Sequence, residues 1–222
     1  MNILKSRLYY SLFFPSIILI IIWTVKITEE ILGTSFSHFG LYPLRIQNIT
    51  GIVFYVFIHG DFEHLFSNTF AFFILCGSLF YFYKHNAFKI FFFLWIFSGI
   101  TLWLIGRPSY HIGISGIIYG LASYLFFSGL FVKERTLSVV SLLVVFLYGS
   151  IVWGMLPGKD GISWEGHISG FAWGLILSFY FSSENIEMTQ KKFADFSEEE
   201  FNEFSISDPK YKKIKYFLKD KE

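Results

Sequence analysis

HIGISGIIYG, residues 111–120, sets Ser115 between Gly113 and Gly116 inside a run, 108–132, that holds no Asp, Glu, Lys or Arg. Twenty-five residues without a charge are too many for an ordinary buried helix. They match the roughly 17–25 apolar residues that a helix needs to cross a bilayer. Serine is a poor helix former and is costly to desolvate without a partner. Its place in such a run therefore raises two questions: how many runs like it the chain has, and which polar group in them meets Ser115.

Charge-free runs recur at 8–25, 65–83, 90–106, 136–158 and 168–183. The 222 residues are 54% hydrophobic and 22% aromatic, with thirty phenylalanines. Only 16% are charged, against about 25% in soluble domains. A soluble bundle needs polar outer faces, and these runs have none. The fold class predicted is an all-α membrane protein, a bundle of six transmembrane helices. The first run exceeds a secretory signal core and is followed by no small-residue cleavage site, so it reads as a true span. Cys76 is the single cysteine; no internal disulfide can form, and a small buried hydrophobe is the expected role.

Six spans put both termini on one side. Lys5, Arg7, Lys84, Lys89, Lys133 and Arg135 flank that side, and Lys26, Arg45, Arg107 and Lys159 flank the other. The excess of positive charge places both termini in the cytoplasm. An integral, multi-pass protein of a bacterial inner membrane is expected. Residues 28–61 make a long outer loop with turn signals at Gly40 and Pro43, and loops of that length are often functional. Residues 1–182 form the six-span core. Residues 183–222 form a polar cytoplasmic tail of net charge −2 against +3 for the core, in which Asp208 and Pro209 could start a helix. No basic patch suggests nucleic acid, and there are no repeats.

Polar groups inside spans point to function. In HGDFEHLFSN, residues 59–68, His64 and Asn68 share a helix face. Ser115 and Tyr119 share one, as do Gly116 and Gly120. In EGHISGFAWG, residues 165–174, His167, Gly170 and Gly174 share another. Small residues four apart let membrane helices approach closely, which would bring Ser115 to His167. A serine beside a histidine is an activated nucleophile with its general base. The Ser115 N–H, His64 and Asn68 are candidate donors to an oxyanion. Glu165, two residues from His167, does not share its face. A dyad without an acid follows, with Tyr119 packed against His167.

These three motifs resemble the rhomboid family of intramembrane serine proteases, over residues 11–182. The resemblance implies a rhomboid-like six-helix bundle with an outer first loop, and a Ser–His dyad at Ser115 and His167. It also implies oxyanion stabilisation by His64 and Asn68, and supporting roles for His59, Gly113, Gly116, Gly170 and Tyr119. Gly166 stands where the family usually has alanine, and the first loop lacks the tryptophan–arginine feature of some bacterial members. The implied activity is endopeptidase hydrolysis in or near transmembrane segments. Its substrates would be transmembrane proteins, with helix-weakening residues and a small side chain before the cut. Metals and cofactors are not expected.

Other chemistries fit poorly. H-E-x-x-H is missing, and HGDFEH has one residue too many for H-x-x-E-H. Asp61 and Asp160 lie at span edges, so no aspartyl pair sits within spans. A transporter would want charges at the midplane. The alternative kept is a catalytically inactive rhomboid-like protein that binds or dislocates membrane clients. His38, His85 and His111 read as solvated or interfacial loop residues.

Overall fold

The computed structural model describes residues 3–157, 161–182 and 184, and Met1–Ser182 makes up one compact unit. Seven α-helices appear among the described residues: α1 (Ile3–Leu32), α2 (Gly51–Phe54), α3 (Phe62–Phe82), α4 (Ala87–Ile105), α5 (Ser115–Val132), α6 (Arg135–Tyr148) and α7 (Trp164–Tyr180). Their only sheet-like pairing is a single antiparallel bridge, Leu41 to His111. The tail with Asp208 and Pro209 lies outside the described residues.

Helix starts follow local chemistry. Asp61 caps α3 by accepting the His64 N–H at 2.7 Å. Glu134 caps α6 through Leu137 N–H at 2.9 Å. Ser163 caps α7 through Gly166 N–H at 3.3 Å. Helix α5 starts at Ser115, not at 108, because residues 107–114 are occupied otherwise. His111 pairs with Leu41, and Gly113 turns the chain at φ +102° while donating to Tyr55 O at 2.8 Å. That φ favours glycine. The run 136–158 also divides: α6 ends at Tyr148, and a 3₁₀ stretch, Gly149–Met155, follows.

Helices α1, α3, α4 and α5 are long and apolar enough to cross a membrane. Their outer surfaces and those of α6 and α7 carry large apolar side chains in the open, among them Phe70, Phe92, Leu142, Phe146 and Phe179. Such continuous apolar exposure suits lipid and would aggregate in water. The protein is a multi-pass integral membrane protein. The 14 residues of α6 rise only about 21 Å at ~1.5 Å each, short of a hydrocarbon core of roughly 30 Å. The 17 residues of α7 rise about 26 Å.

Helix α5 is the central post, packed against α3, α4, α6 and α7. Lipid removes the usual hydrophobic drive between helices, so fit and hydrogen bonds must hold them. Between α5 and α7 the fit is made by glycine. A methyl group at Gly170 would lie 1.8 Å from Gly116 O, and one at Gly174 2.2 Å from Gly120 O. Between α1 and α3–α4 aromatic rings interlock: Phe14 lies 4.9 Å from Phe80, 5.1 Å from Phe88 and 5.0 Å from Phe91. Trp173 Nε1 donates to Thr101 Oγ1 at 2.8 Å, joining α7 to α4.

Candidate active site

The N-terminal ends of α3, α5 and α7 converge. His64 is the third residue of α3, Ser115 the first of α5 and His167 the fourth of α7. The glycine contacts between α5 and α7 bring Ser115 Oγ to 2.9 Å from His167 Nε2. The other ring nitrogen, Nδ1, lies 2.8 Å from Gly154 O. A carbonyl only accepts, so Nδ1 carries the hydrogen and Nε2 keeps a lone pair toward Ser115. The Tyr119 ring stacks on His167, centroids 4.0 Å apart and 8° from parallel, one turn above Ser115 on the same face.

Two polar side chains of α3 lie beside the turn that leads into Ser115. Gly113 has no side chain, and a methyl there would meet His64 Cε1 at 2.9 Å and Asn68 Nδ2 at 3.8 Å. Both side chains thus face the backbone just before Ser115. Asn68 is buried, and its Nδ2 has no hydrogen-bond partner among the described residues. A buried amide donor without a partner is one available to an incoming acceptor.

Two further polar residues lie behind these groups. His59 is buried, and its Nε2 faces Ile114 N–H at 3.5 Å, one residue before Ser115. Burial, with His64 nearby, pushes its pKa down to about 3, so it stays neutral. Lys26, near the end of α1, donates to Gly60 O at 3.0 Å and pairs with Glu30 at 2.8 Å. It thereby ties α1 to the loop that carries His59 and the α3 cap. The sequence shows Lys26 only as a flanking charge; its i, i+3, i+4 spacing with Glu29 and Glu30 was the available signal.

One expectation is corrected. His111 is not a solvated loop residue: it is 2% exposed, with its ring held between Ser163 Oγ at 2.6 Å and Arg107 O at 3.0 Å. Its backbone bridge to Leu41 draws the whole residue inward. Glu165 turns away from His167, as its spacing implied, and pairs with Arg107 at 3.8 Å. No group of three His, Cys, Asp or Glu among the described residues could hold a metal.

A family profile described as Rhomboid domain matches residues 47–184. The chain belongs to the rhomboid family. The profile begins after α1, later than the resemblance over 11–182 suggested, and takes in α2 to α7. An uncharacterized protein of Mycobacterium tuberculosis is 32% identical over 177 residues, 73% of this rhomboid and 72% of that protein. One of Mycobacterium leprae is 30% identical, covering 73% and 68%. A protein of Acanthamoeba polyphaga mimivirus whose name proposes a rhomboid is 31% identical, covering 63% of this chain and 81% of its own.

Proposed function

We propose that this rhomboid is an intramembrane serine endopeptidase that cuts transmembrane proteins with a Ser115–His167 dyad. The observation that carries the reading is the 2.9 Å Ser115–His167 contact combined with the Nδ1 bond to Gly154 O. It holds the imidazole in the tautomer that a general base requires. Ser115 Oγ attacks the substrate carbonyl carbon while its proton passes to His167 Nε2. The carbonyl oxygen becomes an oxyanion beside Asn68 Nδ2, His64 and the Ser115 N–H. His167 then protonates the leaving amine as the C–N bond breaks. Water adds to the acyl-serine by the same route in reverse roles, releasing the acid and restoring Ser115. Each step uses side-chain and backbone groups of this protein and water.

The orientation belongs to the same reading. Six spans, with α6 continued by the Gly149–Met155 stretch as the fifth and α7 as the sixth, put both termini in the cytoplasm and the helix N-termini of the site near the outer surface. Water would reach Ser115 from that side. Cys76 is buried, so single cysteines elsewhere report cleanly. A cysteine at Ser35, exposed in the first loop, is expected to react with an impermeant maleimide on intact cells, whereas one at Lys5 reacts only after lysis. Labelling of the Lys5 cysteine on intact cells would overturn the orientation.

A fluorophosphonate serine-hydrolase probe tests the chemistry directly. In detergent it should label the wild type and leave Ser115→Ala unlabelled. Equal labelling of both would sink the assignment of Ser115, and an unlabelled wild type would favour an inactive, client-binding rhomboid. Asn68→Ala is expected to slow turnover by roughly 10²–10³, the effect of losing one oxyanion donor, with little change in melting temperature. An earlier melt with wild-type turnover per folded molecule would reassign Asn68 to packing.

A further inference from the structure

A second histidine–serine pair lies beside the first, with the partners exchanged. His111 stands four residues before Ser115, and Ser163 stands four residues before His167. Ser115 meets His167 at 2.9 Å, and His111 meets Ser163 at 2.6 Å. The chain around the start of α5 and the chain around the start of α7 therefore meet through each pair.

The hydrogens of the second pair can be assigned. His111 Nε2 faces Arg107 O at 3.0 Å, so Nε2 donates and Nδ1 accepts. Ser163 must then give its hydroxyl hydrogen to Nδ1, and its lone pair accepts Gly166 N–H. The relay runs from Arg107 O through the His111 ring and Ser163 to the residue preceding His167. Arg107 reinforces it: its guanidinium donates to Ile162 O and pairs with Glu165, and its N–H reaches Glu165 Oε1 at 3.4 Å. Meanwhile Leu41 pins the His111 backbone from the first loop through both bridge bonds, at 2.8 and 3.0 Å.

We propose that His111 and Ser163 are positioning residues, a clasp that sets where the start of α7, and with it His167, sits relative to Ser115. This rests on the reading of Ser115 and His167 as the reacting pair. The clasp needs His111 neutral. A protonated ring carries hydrogens on both nitrogens, and the Ser163 hydroxyl hydrogen loses its acceptor. The charged groups around the ring are Arg107 on its own segment and Glu165 on α7; the first loop presents apolar Leu41. Burial dominates and holds the His111 pKa below the usual histidine value, partly opposed by the Arg107 carbonyl and Glu165, with the Arg107 charge adding to the lowering. Since the folded value is depressed, the clasp is complete above the ordinary histidine value of about 6.5 and is lost as pH falls through the lower folded value.

Two variants separate this from a merely structural role. His111→Asn supplies an acceptor that does not titrate. Ser163→Asp keeps a helix cap but has no hydroxyl hydrogen to give, so its carboxylate pairs most strongly with His111 when the ring is protonated and Nδ1 carries a hydrogen. Hydrogen–deuterium exchange of peptides covering 161–168, corrected for intrinsic rate, is measured from about pH 8 down to about pH 4, which carries the scan well below the ordinary histidine range. In the wild type, protection should fall by roughly three- to tenfold on acidification, the scale of one hydrogen bond. It should stay flat in His111→Asn and rise in Ser163→Asp. Parallel pH curves in all three proteins would overturn the clasp. Fluorophosphonate labelling of Ser115, taken as a ratio to wild type at each pH, should follow exchange. A Ser163→Asp ratio that stays constant with pH would overturn the positioning role. A wild type that shows the exchange pattern yet never labels would instead sink the protease reading and leave the clasp standing.

Discussion

Ser115→Ala and His167→Ala, each alone, are expected to abolish cleavage of a transmembrane substrate, and the double variant should be no worse than either. The loss should be roughly 10⁴-fold or more, because residues that act as one unit are grossly non-additive when removed. Removing Ser115 deletes the atom that would bond to the substrate. Removing His167 leaves a hydroxyl that is not ionised near neutral pH and takes away the imidazole 2.9 Å from it. Its neighbours offer no substitute: Glu165 is engaged with Arg107, and His111 with Ser163. Neither change should unfold the protein, since both side chains sit at helix ends and not in the glycine contact. The check is cleavage rate per folded molecule, with melting temperature measured on the same sample. Cleavage near the wild-type rate in either single variant would point to another nucleophile.

Gly170→Ala is expected to be nearly as damaging to activity, by a different route. The added methyl would lie 1.8 Å from Gly116 O and 3.3 Å from Gly116 Cα. Those are backbone atoms of α5 and cannot rotate away. The two helices must part, and the Ser115–His167 contact opens with them. Overpacking typically costs about 1–3 kcal/mol, and more where nothing yields. Both melting temperature and fluorophosphonate labelling should therefore fall together. Gly174→Ala, 2.2 Å from Gly120 O, should act similarly but further from the site. Gly149→Ala is the control: its methyl would meet only Val145 Cγ1 at 3.8 Å. If Gly170→Ala melts and labels like Gly149→Ala, the glycine contact does not set the dyad spacing.

What the sequence made legible was whatever depends on helical periodicity. Ser115 with Tyr119, His64 with Asn68 and His167 with Gly170 and Gly174 repeat at three to four residues, so their shared faces follow from the turn of the helix. The glycines showed which two helices come closest. What has no signature in the sequence depends on irregular backbone. The run 108–132 looks uniform in charge and hydropathy, yet its first seven residues are a loop, because a bridge between Leu41 and His111 has no residue-type signature. The run 136–158 hides the end of α6 at Tyr148, because the 3₁₀ stretch that follows continues the same apolar, charge-free run. Gly154 was invisible as a partner of His167 since only its carbonyl takes part, carried there by a 3₁₀ stretch of seven residues, longer than such stretches usually run. His111 and Ser163 meet across 52 residues, and no local spacing announces that.

The Gly154 carbonyl has an evolutionary consequence. Where a carboxylate orients a histidine, one codon change can delete it. A peptide oxygen is present whatever residue is encoded, so no point mutation can remove this acceptor. The orienting function is inherited through the path of the chain from 149 to 155 instead of through the identity of any one side chain. Drift can tilt that oxygen only by bending the path, and the crowding at Gly154, where a methyl would lie 3.4 Å from His167 Nδ1 and strike the Tyr119 hydroxyl, leaves little room to bend.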